Sequence, residues 1–377
     1  MKAVTYQGPN TVEVKNVRDA AIEKKDDIVV RITSTAICGS DLHLYRGNFP
    51  LPPGYVIGHE PMGIVEEVGP EVTRVKKGDR VVIPFTVACG ECRYCKHGLE
   101  SQCDNSNPHY DSGGYFGYSE KFGNYPGGQA EFLRVPFGNF MPFVIPPSCE
   151  LEDESLLFLS DVLPTAYWSV DHAGVKDGDT VIVLGCGPVG LMTQKFAWMK
   201  GAKRVIAVDY LPYRLEHAKR IYAVETFNFE KHDDMGEYLK EITHGGADVV
   251  IDCVGMDGKL SPLEYIEQKL KLQGGTLGPI QISTKAVRKC GTVQMTGVYG
   301  GNYNLFPLGA FFVRNITLKM GQAPAAHYMR ELYDKIANRE FDPTAIITHR
   351  VPLDEADRAY RMFHGHEDGC IKVVLKP

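Results

Sequence analysis

The sequence predicts an α/β protein of two domains, a β-rich, barrel-like one interrupted by a doubly wound parallel sheet. Three observations carry that reading. With 377 residues the chain is long for one hydrophobic core and suits two. Its first third alternates short runs of β-formers with turn residues and offers no helix of any length. From about residue 152 the pattern changes to strand-like runs separated by helix-like ones, the order that builds parallel strands with crossover helices. The domain limits follow as residues 1–162 together with 323–377, and residues 163–322 between them.

Residues 3–6, 12–14 and 27–32 are the first β-forming runs, followed by 63–68 and 79–83, with the turn signals GPEV and KKGD between the last two. Residues 104–128, rich in Gly, Tyr, Asn and Ser, form a long ordered loop, uncommon unless it lines a site or an interface. Residues 151–170 have helical spacing. The run VIVL at 181–184 reads as a buried parallel strand, and further strands fall at 205–208, 248–254 and 292–298. A helix over 325–339 leads to a last strand at 371–375.

The segment GCGPVG after the first of those parallel strands carries chemistry. Gly185 permits a tight turn, Gly187 lets a pyrophosphate approach the backbone, and Gly190 lets the next helix pack closely on the strand. Pro188 and Val189 complete the loop. The helix shows Val189, Met192, Phe196 and Met199 at three- and four-residue steps and stops near Gly201. Asp209 ends the second strand, nineteen residues after Gly190. A carboxylate there accepts hydrogen bonds from both hydroxyls of an adenosine ribose and repels a 2′-phosphate, which favours NAD over NADP. Val254 sits at the carboxyl end of a strand in the same sheet, the edge that faces a dinucleotide. From Met256 to Cys290 lie thirty-five residues, more than a minimal crossover of about a dozen. Residues 264–272 are expected to supply its helix. The surplus, rich in Gly, Ser and Thr, is either a cover over the dinucleotide or a subunit contact.

Composition excludes several classes. Hydrophobic residues make up 44% and charged residues 23%, the balance of an ordinary globular protein. A net charge of −6 gives no reason to expect nucleic acid or an anionic membrane as partner. Neither a signal core nor a run of membrane-spanning length is visible, so the expected location is the cytosol.

Ten cysteines in such a chain point to metal or catalysis rather than disulfides. Cys89, Cys92, Cys95 and Cys103 sit as C-x2-C-x2-C-x7-C among Gly90, Glu91, Arg93, Tyr94, Lys96 and His97, a polar setting and no core stripe. Four thiolates at that spacing can wrap a tetrahedral zinc and leave no open position; an iron–sulfur cluster is the competing occupant. A second set is CGSDLH at 38–43 with GHE at 58–60. Cys38 and His59, far apart in sequence and each beside glycine, suit a catalytic ion with an unfilled position. Taken alone, each also reads as a packing or turn residue. Cys149, Cys186, Cys253, Cys290 and Cys370 have no ligand-like spacing.

These motifs together resemble the zinc-dependent medium-chain alcohol dehydrogenases, from the N-terminus to Lys372. The resemblance implies a GroES-like catalytic domain, a Rossmann NAD-binding domain and about two zinc ions per chain. It makes Cys38 and His59 ligands of the catalytic zinc, with Glu60 a carboxylate able to approach it. Where many relatives have a third cysteine ligand this chain has Asp161, in LSD-x-LPT; that context, with GGQAE at 127–131, resembles the glutathione-independent formaldehyde dehydrogenase branch. Carboxylate oxygen binds zinc well. The resemblance further implies that Ser40 takes the substrate proton and that His43 delivers it to solvent. It also puts Thr165 beneath the nicotinamide, Arg214 beside the adenosine ribose and Lys372 near the pyrophosphate.

The function expected is hydride transfer between NAD and a small alcohol or hydrated aldehyde, formaldehyde included. The alternatives are a polyol or amino-alcohol dehydrogenase, an aldehyde dismutase that retains NAD, or a non-catalytic NAD sensor. Retention of Cys38, Ser40, His43 and His59 together counts against the sensor. Family resemblance implies a homodimer or homotetramer.

Overall fold

The computed structural model describes residues 1–258 and 275–377. The chain divides into two compact units, Met1–Pro164 with Ala323–Pro377, and Thr165–Gln322.

In the first unit the ten-residue strand Ile28–Ile37 is the hub. It pairs antiparallel with Val373–Lys376, Met62–Val68 and Phe132–Val135. Register shifts between Val29 and Val30 and between Ile32 and Ser34 bend it through these ladders. A seven-stranded sheet results, which also takes in Arg80–Val82, Phe143–Val144 and His349–Pro352. One apolar core joins Val4, Tyr6 and Ile37 to Tyr360, Phe363 and Val373, so the C-terminal segment completes a core begun at the N-terminus. A second core gathers Ile28, Val65, Val81 and Phe116 with Cys95 and Cys103, which ties the cysteine segment to the sheet. The helix-free start needs two amendments: Asp41–Tyr45 is a five-residue helix and Arg93–Lys96 a four-residue one, both too short to show a period in sequence.

The second unit is a six-stranded parallel sheet. Its order is Glu225–Asn228, Arg204–Asp209, Thr180–Leu184, Ala247–Asp252, Val287–Met295, Thr317–Met320. Numbered along the chain this is 3-2-1-4-5-6, the doubly wound order whose switch point lies beside the first strand. Thr180–Leu184 buries its last four residues because it is flanked by strands on both sides.

The stretch expected to be surplus between the late strands is partly regular. Gly278–Ala286 is a helix opened by Pro279 at its first turn, with Leu277, Ile280 and Ala286 in the sheet's core, and the next strand starts at Val287 rather than 292. The helix expected at 264–272 lies outside the described residues, so the cover expected from that stretch has no structural description. Residues 151–170 are likewise interrupted: Asp153–Leu156 is α-helical, Leu157–Ser160 is a 3-10 turn, and helix resumes at Val162–Ala173. The break is Asp161, with φ −151° and ψ −69°.

Candidate active site

The first unit brings four separated donors together. Cys38 follows the hub strand, His59 and Glu60 follow Gly58, and Asp161 occupies the helix break. Gly58 has φ +98°, and a Cβ there would meet Gln129 Cγ at 2.2 Å, so the turn carrying His59 tolerates glycine alone. One donor atom from each of Cys38, His59, Glu60 and Asp161 lies within 4.8 Å of the others, and all four residues are buried. Asp161 Oδ2 is 3.3 Å from Cys38 Sγ and 3.3 Å from His59 Nε2. Bonds of about 2.0–2.3 Å to a shared tetrahedral zinc put such donors about 3.3–3.5 Å apart. The donor set fits the ion electrostatically as well. Burial, then the Asp161 charge, pushes the Cys38 thiol up to about 11. A dication reverses that balance for a thiol packed beside carboxylates. Among the described residues Glu60 Oε2, which is buried, has no hydrogen-bond partner.

Residues behind the donors set their aim. Asp41 Oδ1 is 2.9 Å from His59 Nδ1, which leaves Nε2 directed at Cys38 and Asp161. Asp41 Oδ2 accepts the Cys38 N–H at 2.9 Å and an N–H of Gln129 at 3.2 Å. Gln129 also donates to the Ala36 carbonyl, and its Oε1 accepts the Tyr360 hydroxyl at 2.8 Å. Sequence reasoning missed Asp41 and Tyr360 in this role. The only signal was GGQAE, which places Gln129 by resemblance and gives no partner.

Ser40 Oγ lies 3.2 Å from Cys38 Sγ and 3.1 Å from His59 Nε2, at the same point. The Tyr118 hydroxyl, another residue the sequence did not mark, hydrogen-bonds Ser40. His43 was expected at an exit to solvent. Its ring is only 3% exposed and packs edge-on against Phe49, because the short helix carrying it is buried throughout. Lys372, expected beside a pyrophosphate, belongs to the first unit and is fully buried. Its ammonium donates to Glu60 Oε1 at 2.5 Å and to the Ile37 carbonyl at 3.0 Å. It neutralises a carboxylate that burial otherwise pushes toward its neutral form.

The four cysteines form the second cluster. Their Sγ atoms approach to 3.5 Å (Cys92–Cys95), 3.9 Å (Cys92–Cys103) and 4.0 Å (Cys89–Cys95), against the edge of about 3.8 Å that bonds of about 2.3 Å imply. Backbone N–H groups of Glu91 and Cys92 point at Cys89 Sγ, each at 3.3 Å, as thiolate sulfur demands.

In the second unit the three glycines have three distinct reasons. Gly185 has φ +94°. A Cβ on Gly190 would meet the Gly185 carbonyl at 2.0 Å, so the helix Pro188–Met199 packs this closely only with glycine. A Cβ on Gly187 would meet nothing nearer than Arg214 Nη1 at 3.8 Å, which leaves that face open for a pyrophosphate. Asp209 is buried, and its carboxylate accepts N–H groups of Cys186 (2.8 Å), Tyr210 (2.7 Å) and Leu211 (3.0 Å). Among the described residues these bonds leave acceptor capacity on Oδ2, where a ribose hydroxyl would donate. Val254 contacts the loop, its Cγ2 being 3.0 Å from a Cβ built on Gly185. The carbonyl of Thr165 accepts the Ser169 hydroxyl.

Known proteins share this architecture. Residues 24–146 match the alcohol dehydrogenase GroES-like domain and residues 188–263 match the zinc-binding dehydrogenase domain. An uncharacterised zinc-type alcohol dehydrogenase-like protein of Bacillus subtilis is 61% identical over the full length of both chains. A glutathione-independent formaldehyde dehydrogenase of the same organism is 34% identical, over 100% of this chain and 97% of that one. Among solved structures, the alcohol dehydrogenase TADH from Thermus sp. ATN1 superposes with a TM-score of 0.84 at 35% identity, covering 100% of this chain and 99% of the other. The chain therefore belongs to the zinc-dependent medium-chain alcohol dehydrogenases, a family of oxidoreductases whose cofactors are zinc and a nicotinamide dinucleotide.

Proposed function

We propose that the protein oxidises a small alcohol, or an aldehyde in its hydrated form, with NAD as acceptor and zinc held by Cys38, His59 and Asp161. The convergence of those three buried donors with the Ser40 hydroxyl supports this reading. When bound, zinc lowers the pKa of the substrate hydroxyl and NAD takes up the hydride. Ser40 Oγ accepts the proton released at that hydroxyl, and Tyr118 holds Ser40 in place. Asp41 fixes the His59 ring, while Lys372 keeps Glu60 compensated. Cys89, Cys92, Cys95 and Cys103 hold a second, structural zinc. Among the described residues no helix is long and apolar enough to cross a membrane.

The test is a panel of alcohols and aldehydes with NAD or NADP, followed by absorbance of the reduced nicotinamide. Zinc-loaded protein that reduces neither cofactor with any member overturns the reading. Asp209 makes the cofactor preference specific, since a 2′-phosphate beside its carboxylate costs several kcal/mol. Asp209→Ser is expected to raise the NADP-to-NAD ratio of kcat/KM by about tenfold or more. A native preference for NADP contradicts this.

The second unit also supports self-association. Leu305, Leu308, Phe312 and Val313 are between 69% and 83% exposed, and Met320 of the edge strand Thr317–Met320 is 53% exposed. Exposed large apolar side chains in a unit that also ends in an open sheet edge are a liability for a monomer and an asset for a dimer. Phe312→Asp is expected to shift sedimentation velocity from dimer or larger toward monomer; an unchanged distribution places the contact elsewhere.

A further inference from the structure

We propose that Asp252 is a positioning residue for the nicotinamide half of the dinucleotide, tying the ends of two adjacent strands into one fixed ledge. This rests on the reading of Asp209 and Gly187 as the seat of the adenosine half.

The sheet order decides where the other half must lie. Asp209 ends the strand on one side of Thr180–Leu184, and Gly187 follows Thr180–Leu184 itself. A dinucleotide seated there by its adenosine and pyrophosphate runs outward across the strands on the other side, Ala247–Asp252 and then Val287–Met295. Both strands are buried up to their carboxyl ends, and the backbone becomes half-buried at Cys253 and at Thr296. Those two strand ends are the surface this unit offers to the second nucleoside.

Asp252 is the node that joins them. Its Oδ1 accepts the N–H groups of Val254 at 2.8 Å and Gly255 at 3.2 Å. Its carbonyl accepts those of Thr296 and Gly297, each at 2.9 Å, from the neighbouring strand's end. Its Oδ2 accepts the Tyr299 hydroxyl at 2.6 Å, which reaches further along the same segment. The Tyr299 ring is itself set edge-on against Tyr303, with centroids 5.4 Å apart. The Met256 N–H closes the clasp on the Val298 carbonyl at 2.9 Å. Backbone lies on backbone here: a Cβ on Gly297 would meet the Gly255 N at 2.1 Å, and one on Gly255, where φ is +66°, the Val298 N at 2.5 Å.

The side chain does more than a turn requires. A carboxylate that only caps the two following N–H groups works as well at a surface, where its charge stays hydrated. Asp252 is fully buried. Burial pushes its carboxyl up, and the Tyr299 hydroxyl, then the Val254 and Gly255 N–H groups, oppose that shift. A buried charge spent on bonds to two separate strand ends holds both at one spacing. Because Asp252 is covered, it acts on a ligand only through the backbone it holds. A ledge ordered before the ligand arrives spares the ordering cost at binding.

The experiment measures calorimetric binding of NAD and of ADP to the full-length, zinc-loaded protein. ADP has the adenosine and both phosphates but nothing to lay across the ledge. Asp252→Ala is expected to weaken NAD about tenfold or more while ADP stays within about twofold. Tyr299→Phe removes one bond, and Asp252→Asn keeps an oxygen for Val254 and Gly255 but offers Tyr299 no acceptor in its place. Each is expected to weaken NAD about threefold, with ADP again unmoved, and the two together no more than either alone. Tyr299→Phe carries the test if Asp252→Ala does not fold. A loosened unit weakens ADP and NAD alike, and that result overturns the inference, as does NAD affinity unchanged in the variants. Native protein that binds ADP but gains nothing from the nicotinamide half overturns it too. Native protein that binds neither NAD nor ADP overturns the reading of Asp209 and Gly187, and this inference with it.

Discussion

Asp161→Asn is expected to lower kcat/KM by about a thousandfold and to reduce bound zinc from about two ions per chain to about one. Asp161 Oδ2 stands 3.3 Å from both Cys38 Sγ and His59 Nε2, and the broken helix at Asp161 directs the carboxylate there. An amide in its place is a weak zinc ligand, and loss of the ion removes several kcal/mol of charge stabilisation, each 1.4 kcal/mol being a factor of ten. The fold is expected to survive, because the four cysteines sit in a different core, with Ile28 and Val65. Asp161→Cys supplies a thiolate at the same position and is expected to retain the ion. Metal analysis, far-ultraviolet circular dichroism and kinetics on the same samples check all three points. Full activity with two zinc ions in Asp161→Asn removes Asp161 from the ligand set.

Local spacing made part of this protein legible. Cys89, Cys92, Cys95 and Cys103 span fifteen residues, so their meeting needs little beyond a turn. The glycine loop is similar: each of Gly185, Gly187 and Gly190 acts on neighbours that strand and helix geometry place automatically. The catalytic cluster is different, since Cys38 and Asp161 are 123 residues apart and no period joins them. Only the resemblance linked them, and this chain's packing adds partners that the resemblance does not name. Lys372 meets Glu60 because Val373–Lys376 pairs with the hub strand, a partnership across 312 residues that no local pattern encodes. His43 is buried because Phe49 and the core around Leu42 and Leu44 close over its helix. Gln129 and Tyr360, 231 residues apart, support the His59–Asp41 pair through a contact that only the folded C-terminal segment creates.

Ser40→Ala is expected to cost about 10²- to 10⁴-fold in kcat, the usual range for losing a positioned proton acceptor, with both zinc ions retained. The hydroxyl lies 3.2 Å from Cys38 Sγ and 3.1 Å from His59 Nε2, so a substrate oxygen bound at that metal position is within reach of Ser40. Alanine leaves the donors untouched, because Asp41 rather than Ser40 orients His59 and caps the Cys38 N–H. Ser40→Thr keeps a hydroxyl and is expected to recover much of the rate. His43→Gln separates the routes by which the proton leaves. An exposed histidine would make the variant sensitive to small bases in the buffer, but the His43 ring is 3% exposed. Loss of His43 is therefore expected to cost less than loss of Ser40 and to show little rescue. The Tyr118 hydroxyl, hydrogen-bonded to Ser40, is the alternative carrier. Tyr118→Phe is then expected to slow proton release with 1-propanol while His43→Gln does not. If Ser40→Ala keeps the native rate, the proton leaves the substrate by a path that includes neither residue.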